Sequence, residues 1–472
     1  MNRPEGPPVG SWGRPARVCR PAVLVPLLLA TAILLTSCGG RGRESSSSPA
    51  TTPKHAAFTG LRHGTRARLL STPRPSTGPQ APQDTPALTQ LRARLNAALR
   101  HQGRNVGVLV TDLTTGATLY SREPNVARPP ASVEKLYTSL AVLTMLGPNA
   151  RLHTHVLGTG HMGPGGVWHG NLYLRGDGDP TFGDGYFNRV AEDGYGPTAA
   201  DLVAQLAKRR IHRVTGHVFG DESLFDADRG GPLTHNRPDT PDYGGELSAL
   251  VYDHGASARG YPPPVFAARE LVITMHGRQI AARLGRRTAR TPPDARVLAT
   301  VASPRMSVLV RLMNVPSDDL FADLLAKQIG ADFFGEGTLA AGALEIRQAI
   351  ADQYNITPTI WDGSGLDKAD RSSPAQIVEL LSKVSGTRVG HVLASALPVV
   401  GMTGTVEPIG VHTPAQGHCF AKTGTLDKVT NLAGYCDARG GHRIAFALMV
   451  DGPENWQALA AFTPAVGAIA GY

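Results

Sequence analysis

Most of this 472-residue chain has almost no net charge. The whole carries 47 Lys+Arg against 38 Asp+Glu, but residues 1–90 hold 11 of the basic and only 3 of the acidic residues. Residues 91–472 keep 36 and 35. A balance that even offers no electrostatic footprint for nucleic acid. Cysteine is scarce, at 4 residues. No pair of His on a helix followed by Glu occurs among the 16 His, which argues against a zinc peptidase. Gly158 to Gly163 matches a dinucleotide fingerprint in letters only, because it runs into Pro164-Gly165-Gly166 and not into a helix. Asp177-Gly178-Asp179 starts like a calcium loop but continues into Thr181 and Phe182. Neither a cofactor nor a metal is expected.

What is present is enough for sizeable cores. Hydrophobic residues make up 41%, and the length suggests two or three domains. The front end reads as an address. Arg14, Arg17 and Arg20 precede an apolar run, Val23 to Leu35, which is short for a stable spanning helix and contains Pro26. The run ends Leu35-Thr36-Ser37-Cys38, which resembles a bacterial lipobox with Cys38 as the lipidation site. An uncleaved N-terminal anchor and simple secretion are the alternatives. All three place the body outside the cytoplasm, held to the outer face of the cytoplasmic membrane in the first two. Residues 1–37 are therefore taken as the signal segment. Residues 38–87, rich in Pro and Ser, read as a disordered tether that cannot bury enough surface to order itself.

With Cys19 and Cys38 assigned to the front, only Cys419 and Cys436 remain in the body. They flank TGTLDKVTNLAG, a hairpin signal with its turn near Asp427-Lys428. Residues equidistant from a hairpin turn face each other across the strands, which predicts a cross-strand disulfide. Two buried free thiols are the alternative.

The body reads as helix (88–101), hairpin (106–113 and 117–120), and a strong helix over SVEKLYTSLAVLTMLG. A mixed middle follows, with strands at 171–174 and 214–219 and a helix at 199–209. Helices are expected at 304–331, 337–354 and 373–384, then strands near 418–424, 431–437 and 443–450, and a closing helix at 455–469. This order fits an α+β fold, an antiparallel sheet flanked by helices, in which 88–150 and 301–472 make one discontinuous domain and 151–300 an inserted smaller α/β domain.

Three short motifs carry chemistry. Ser132-Val133-Glu134-Lys135 places a hydroxyl and an amine on one helix face. Serine needs a base, and Ser132 sits at a helix start where free N–H groups favour developing negative charge. Lys422-Thr423-Gly424-Thr425 lies on a predicted strand edge suited to a carboxylate. Ser317-Asp318-Asp319 precedes a helix and alone reads as an N-cap.

In this order the three motifs resemble the set of the penicillin-binding proteins and serine β-lactamases. Spacing and context resemble one branch, the class C low-molecular-mass penicillin-binding proteins, D-alanyl-D-alanine carboxypeptidases and endopeptidases. The similarity includes LYLRGDGDPTF (172–182), GHVFGDESLFD (216–226), SPRMSVLVRLMNVPSDDLFADLL (303–325), DGSGL (362–366), GMTGTV (401–406) and AKTGTLDKVTNLAGY (421–435). The resemblance implies the penicillin-binding fold and peptidoglycan stem peptides as substrate. Ser132 would attack the bond between two terminal D-alanines, Lys135 would take its proton, and Ser317 would relay a proton to the leaving amine. The N–H groups of Ser132 and Thr425 would form the oxyanion hole. Lys422, Thr423 and Thr425 would hold the terminal carboxylate beside Gly424. β-Lactam antibiotics would acylate the same serine.

Two departures stand out. The family's second motif normally ends in Asn, where this chain has Asp319. An ionised carboxylate only accepts hydrogen bonds, whereas an amide also donates, so slowed acylation is expected. The stretch between Ser132 and Ser317 is also shorter than in family members with longer insertions. Asp319 keeps a second reading open, a catalytically weak module that binds cell-wall peptides or β-lactams. A β-lactamase would need an extra base that the sequence does not reveal, and Ser364 of DGSGL has no evident base of its own.

Overall fold

The computed structural model describes residues 85–238, 245–255, 260–452 and 454–472. The signal segment, Cys38 and the tether through residue 84 lie outside the described residues. Among the described residues no helix is long and apolar enough to cross a membrane.

The strands are β1 (Val106–Asp112), β2 (Thr118–Arg122), β3 (His153–Gly158), β4 (His161–Gly163), β5 (Val167–His169), β6 (Leu172–Gly176), β7 (Arg213–Val214), β8 (Val218–Asp221), β9 (Arg296–Ala302), β10 (Cys419–Leu426), β11 (Val429–Asp437) and β12 (Arg443–Asp451). Helices α1 (Pro86–Ala98), α2 (Lys135–Met145), α3 (Gly185–Ala191), α4 (Ala199–Lys208), α5 (Pro263–Gly277) and α6 (Met306–Asn314) come from the first two thirds. Then follow α7 (Asp319–Ile329), α8 (Leu339–Tyr354), α9 (Pro374–Val384), α10 (Arg388–Ala396) and α11 (Asn455–Ala470).

Five strands form an antiparallel sheet in the order β10-β11-β12-β1-β2. It is apolar on both faces, and strand alternation sorts the residues between two cores. Ile444, Phe446, Leu448 and Val450 of β12 join α1 and α11 on one side. Ala445, Ala447 and Met449 of the same strand join α2 and α6 to α10 on the other. α2 is buried from Lys135 to Leu143 without a break. It lies inside the core on every face, and it takes the polar Lys135, Thr138 and Ser139 in with it. β10 and β11 pair in register from Leu426↔Val429 to Cys419↔Cys436, and those two cysteines are disulfide-bonded. The fold is thus α+β, an antiparallel sheet flanked by helices on both faces.

A second sheet, β8-β6-β3-β9, and a small third one, β4-β5-β7, come from the middle of the chain. They have their own core, residues from Val156 to Val301, with α4 and α5 packed into it. Thr198 caps α4 in a reciprocal capping box with Asp201.

The structure departs from the expected elements at two places of consequence. The span 304–331 is not one helix but α6 and α7, separated by Val315-Pro316-Ser317-Asp318. Pro316 cannot continue the ladder, Ser317 adopts φ +68°, and Asp318 caps α7 through the Phe321 N–H at 2.9 Å. The expected strand 214–219 is likewise two short strands in different sheets, β7 and β8.

Candidate active site

The Ser132-Val133-Glu134-Lys135 motif opens on a tight turn, Ala131–Glu134, that leads into α2. Ala131 holds φ +46°, a strained value for a residue with a side chain. The turn is pinned from the sheet: Asn431 of β11 donates its amide hydrogens to the Pro129 and Pro130 carbonyls at 2.9 and 2.8 Å. β10 lies directly against it. A side chain at Gly424 would collide with the Pro130 carbonyl, so only glycine fits that point of the strand.

Around this turn two lysines each hold a serine. Lys135 Nζ donates to Ser132 Oγ at 3.0 Å, to the Ser364 carbonyl at 2.8 Å, and to Asp319, with which it forms an ion pair. Lys422 Nζ donates to Ser317 Oγ at 2.7 Å and to the Thr423 carbonyl at 3.0 Å. Thr423 donates its hydroxyl to Thr405 at 2.6 Å. Ser132, Lys135, Ser317, Asp319, Lys422, Thr423 and Gly424 thus meet in one place. Thr425 follows, exposed, at the open end of the same strand.

Both lysine side chains are buried. Burial, with the Lys135 charge adding and Asp319 opposing, holds the Lys422 ammonium well below its usual value. Burial pushes the Asp319 carboxyl up, against the pull of Lys135. Asp318 differs. Burial raises it, but His254, the Phe321 N–H and Lys135 outweigh that and hold it low. A pair of hydroxyls, each held by a lysine of different environment, suits nucleophilic attack on one side and proton relay on the other.

Three further parts line this site, of which DGSGL was expected only as a turn bordering it and the other two carried no expected role. The Ser364 carbonyl anchors Lys135, while Ser364 Oγ is buried and faces Asp323 at 3.3 Å, so DGSGL lines the site and supplies no rival nucleophile. Thr405 and Asn431 fall in GMTGTV and KVTNLAGY, whose presence was the only signal. His254, which meets Asp318 Oδ2 at 2.8 Å, comes from the middle of the chain with no sequence signal at all.

A model of the D-Ala-D-Ala carboxypeptidase 3 (S13) family matches residues 88–260 and 267–470. The chain belongs to this family. It is a low-molecular-mass penicillin-binding protein and a serine-type D-Ala-D-Ala carboxypeptidase. Among its relatives, the D-alanyl-D-alanine carboxypeptidase of Actinomadura sp. (strain R39) is 26% identical over 453 residues, covering 77% of this chain and 81% of that protein. Carboxypeptidase DacB of Mycolicibacterium smegmatis is 29% identical over 426 residues, covering 84% and 88%. The crystal structure of penicillin binding protein 4 (dacB) from Haemophilus influenzae superposes with TM-score 0.69 at 17% identity, covering 80% of this chain and 99% of that one.

Proposed function

We propose that Ser132 is the nucleophile of this S13 carboxypeptidase and that the reaction runs through a Ser132 acyl-enzyme on peptidoglycan stem peptides. The observation that carries this reading is the 3.0 Å contact between Lys135 Nζ and Ser132 Oγ. Lys135, on shedding a proton, accepts the Ser132 hydroxyl proton as Oγ attacks the carbonyl between the two D-alanines. The N–H groups of Ser132 and Thr425 stabilise the oxyanion. Ser317, bound to Lys422, passes a proton to the leaving D-alanine nitrogen. The terminal carboxylate lies against Lys422, Thr423 and Thr425, where an anion restores charge to a lysine that burial has made easy to deprotonate. Water then attacks the ester and releases the shortened peptide. β-Lactams acylate Ser132 by the same attack. One solved H. influenzae structure of this fold is complexed with a β-lactam, at 19% identity and TM-score 0.63.

The same reading places the body outside the cytoplasm, where its substrate is, held by a lipid on Cys38 or by an uncleaved anchor through residues 38–87. It treats 88–150 with 301–472 as the catalytic domain and 151–300 as an insertion; the separate core between Val156 and Val301 supports that division.

The Lys135–Asp319 ion pair favours a second reading, a weak catalyst that mainly binds cell-wall peptides or β-lactams. Release of D-alanine from a peptide ending in D-Ala-D-Ala separates the two. The enzyme releases it, and Ser132→Ala and Lys135→Ala do not. Peptide binding without release by the native chain supports the second reading.

A further inference from the structure

Behind the nucleophile turn four carboxyl groups are buried together: Glu134 from the turn, Asp323 from α7, and Asp362 and Asp370 from the loop that carries DGSGL. Oxygens of Glu134, Asp362 and Asp370 all lie within 4.8 Å of one another. Lys135, on the neighbouring turn of α2, already spends its three N–H donors on Ser132, Asp319 and Ser364.

The partners of each carboxyl group decide its state. Asp362 accepts the N–H groups of Ser364 (3.0 Å), Gly365 (2.6 Å) and Asp367 (2.8 Å), which suits an anion. Asp323 accepts the Gly363 N–H at 2.9 Å and faces the Ser364 hydroxyl. Asp370 Oδ1 accepts the Trp361 N–H at 2.8 Å. Three oxygens then have no donor: both of Glu134 and Oδ2 of Asp370. Acceptor facing acceptor in a dry core is costly, and one proton between them removes the cost.

We propose that Glu134 and Asp370 share one proton at neutral pH, and that this carboxylic acid–carboxylate pair is a positioning device for Lys135. The Glu134 O–H donates to Asp370 Oδ2. The pair ties the 362–370 loop to the nucleophile turn, and the Ser364 carbonyl of that loop is what Lys135 Nζ binds. Fit at this seam is tight: Gly365, at φ +84°, sits where a side chain would strike the Ala131 carbonyl. Burial pushes the Glu134 carboxyl well above its usual value, with Asp370, Asp362 and Asp323 adding to it. Burial, with Asp362 adding, pushes Asp370 up to about 8. Asp367 also raises Asp370, Asp319 raises Asp323, and Lys135 pulls Asp323 and Asp362 down. Tyr137, which faces Glu134 from α2, is itself pushed above its usual value by burial.

The sign follows from linkage. A carboxyl group raised on folding contributes stability that is full below its ordinary value and is lost as pH rises through its raised one; burial raises both members of this pair, so the loss is a property of the pair and runs on past neutral pH. Once the shared proton leaves, two carboxylates repel across the seam and the Ser364 carbonyl moves off Lys135.

The positioning role rests on Lys135 being the base; the shared proton does not. The test compares the full chain with Asp370→Asn, which supplies a permanent N–H donor. The melting temperature of the native protein is followed over roughly pH 5 to 9, spanning that window, together with acylation by a fluorescent penicillin. We expect the native melting temperature to fall as pH rises, Asp370→Asn to flatten that fall, and its alkaline limb of acylation to move to higher pH. Glu134→Gln, which keeps a donor, acylates at least about tenfold faster than Glu134→Ala. Identical pH profiles for the native chain and Asp370→Asn overturn the proposal. So does a stoichiometric divalent cation in the purified protein whose removal by EDTA lowers the melting temperature, which assigns the cluster to a metal. If the native chain does not acylate at all, the reading of Lys135 fails while the melting profiles still judge the proton.

Discussion

At the scale of single residues, Asp319 stands where the resemblance implies an asparagine. That asparagine would contact Lys135 and donate to a substrate carbonyl, whereas an ionised carboxylate pairs with Lys135 and repels that carbonyl. Asp319→Asn is expected to acylate about tenfold faster, about 1.4 kcal/mol of barrier. Stopped-flow acylation checks this, and an unchanged rate contradicts it. Asn431 acts on the other side of the turn. Asn431→Ala leaves the Pro129 and Pro130 carbonyls without their donor, at about 1–3 kcal/mol of stability by denaturant titration, with slower acylation because the turn loosens. That Ser132, Lys135, Ser317 and Lys422 belong to one candidate site was legible because their motifs are short and local, and the structure brings them together. Asn431, Thr405 and the Ser364 carbonyl were not, because what they do depends on which strand or loop the fold brings beside the turn. Glu134 was the least legible. In the sequence it is an ordinary acidic residue inside Ser-x-x-Lys, and only burial beside Asp370 gives it a role.

At the scale of elements, the hairpin β10–β11 was legible from symmetry about its turn, and its register brings Cys419 opposite Cys436. The bond closes a loop with a sequence separation of 17 residues. Loop-closure entropy for that length is about 3 kcal/mol. The double variant Cys419→Ala/Cys436→Ala is expected to lose stability of that order by denaturant titration, with β10 still able to present Lys422. The break between α6 and α7 was present in the letters as Pro316 and the N-cap signal of Ser317-Asp318-Asp319, against the helical periodicity that runs over 304–331. Its consequence is functional. The break turns Ser317 toward Lys422, and the Thr405 N–H fastens it by donating to the Val315 carbonyl at 3.2 Å. A continuous helix over 304–331 would have no such turn at Ser317.

At the scale of the whole molecule, the active site is drawn from widely separated stretches that two cores hold against the sheet, while a third core stabilises the middle of the chain. The middle was legible only as mixed strand and helix, because its short strands pair in an order that local patterning does not carry. Its separate core leads to a prediction. Leu202 is buried in it, and Leu202→Ala is expected to cost about 2–5 kcal/mol in that region. Limited proteolysis of the variant then speeds up within 151–300, while acylation at a temperature where the chain stays folded keeps its rate. The central claim, that Ser132 is the acylated nucleophile, is tested most directly by intact-mass measurement of the protein after incubation with benzylpenicillin, beside Ser132→Ala. The account predicts one penicilloyl adduct on the native chain and none on the variant. An adduct that survives in Ser132→Ala, or a folded native chain that takes none, contradicts it.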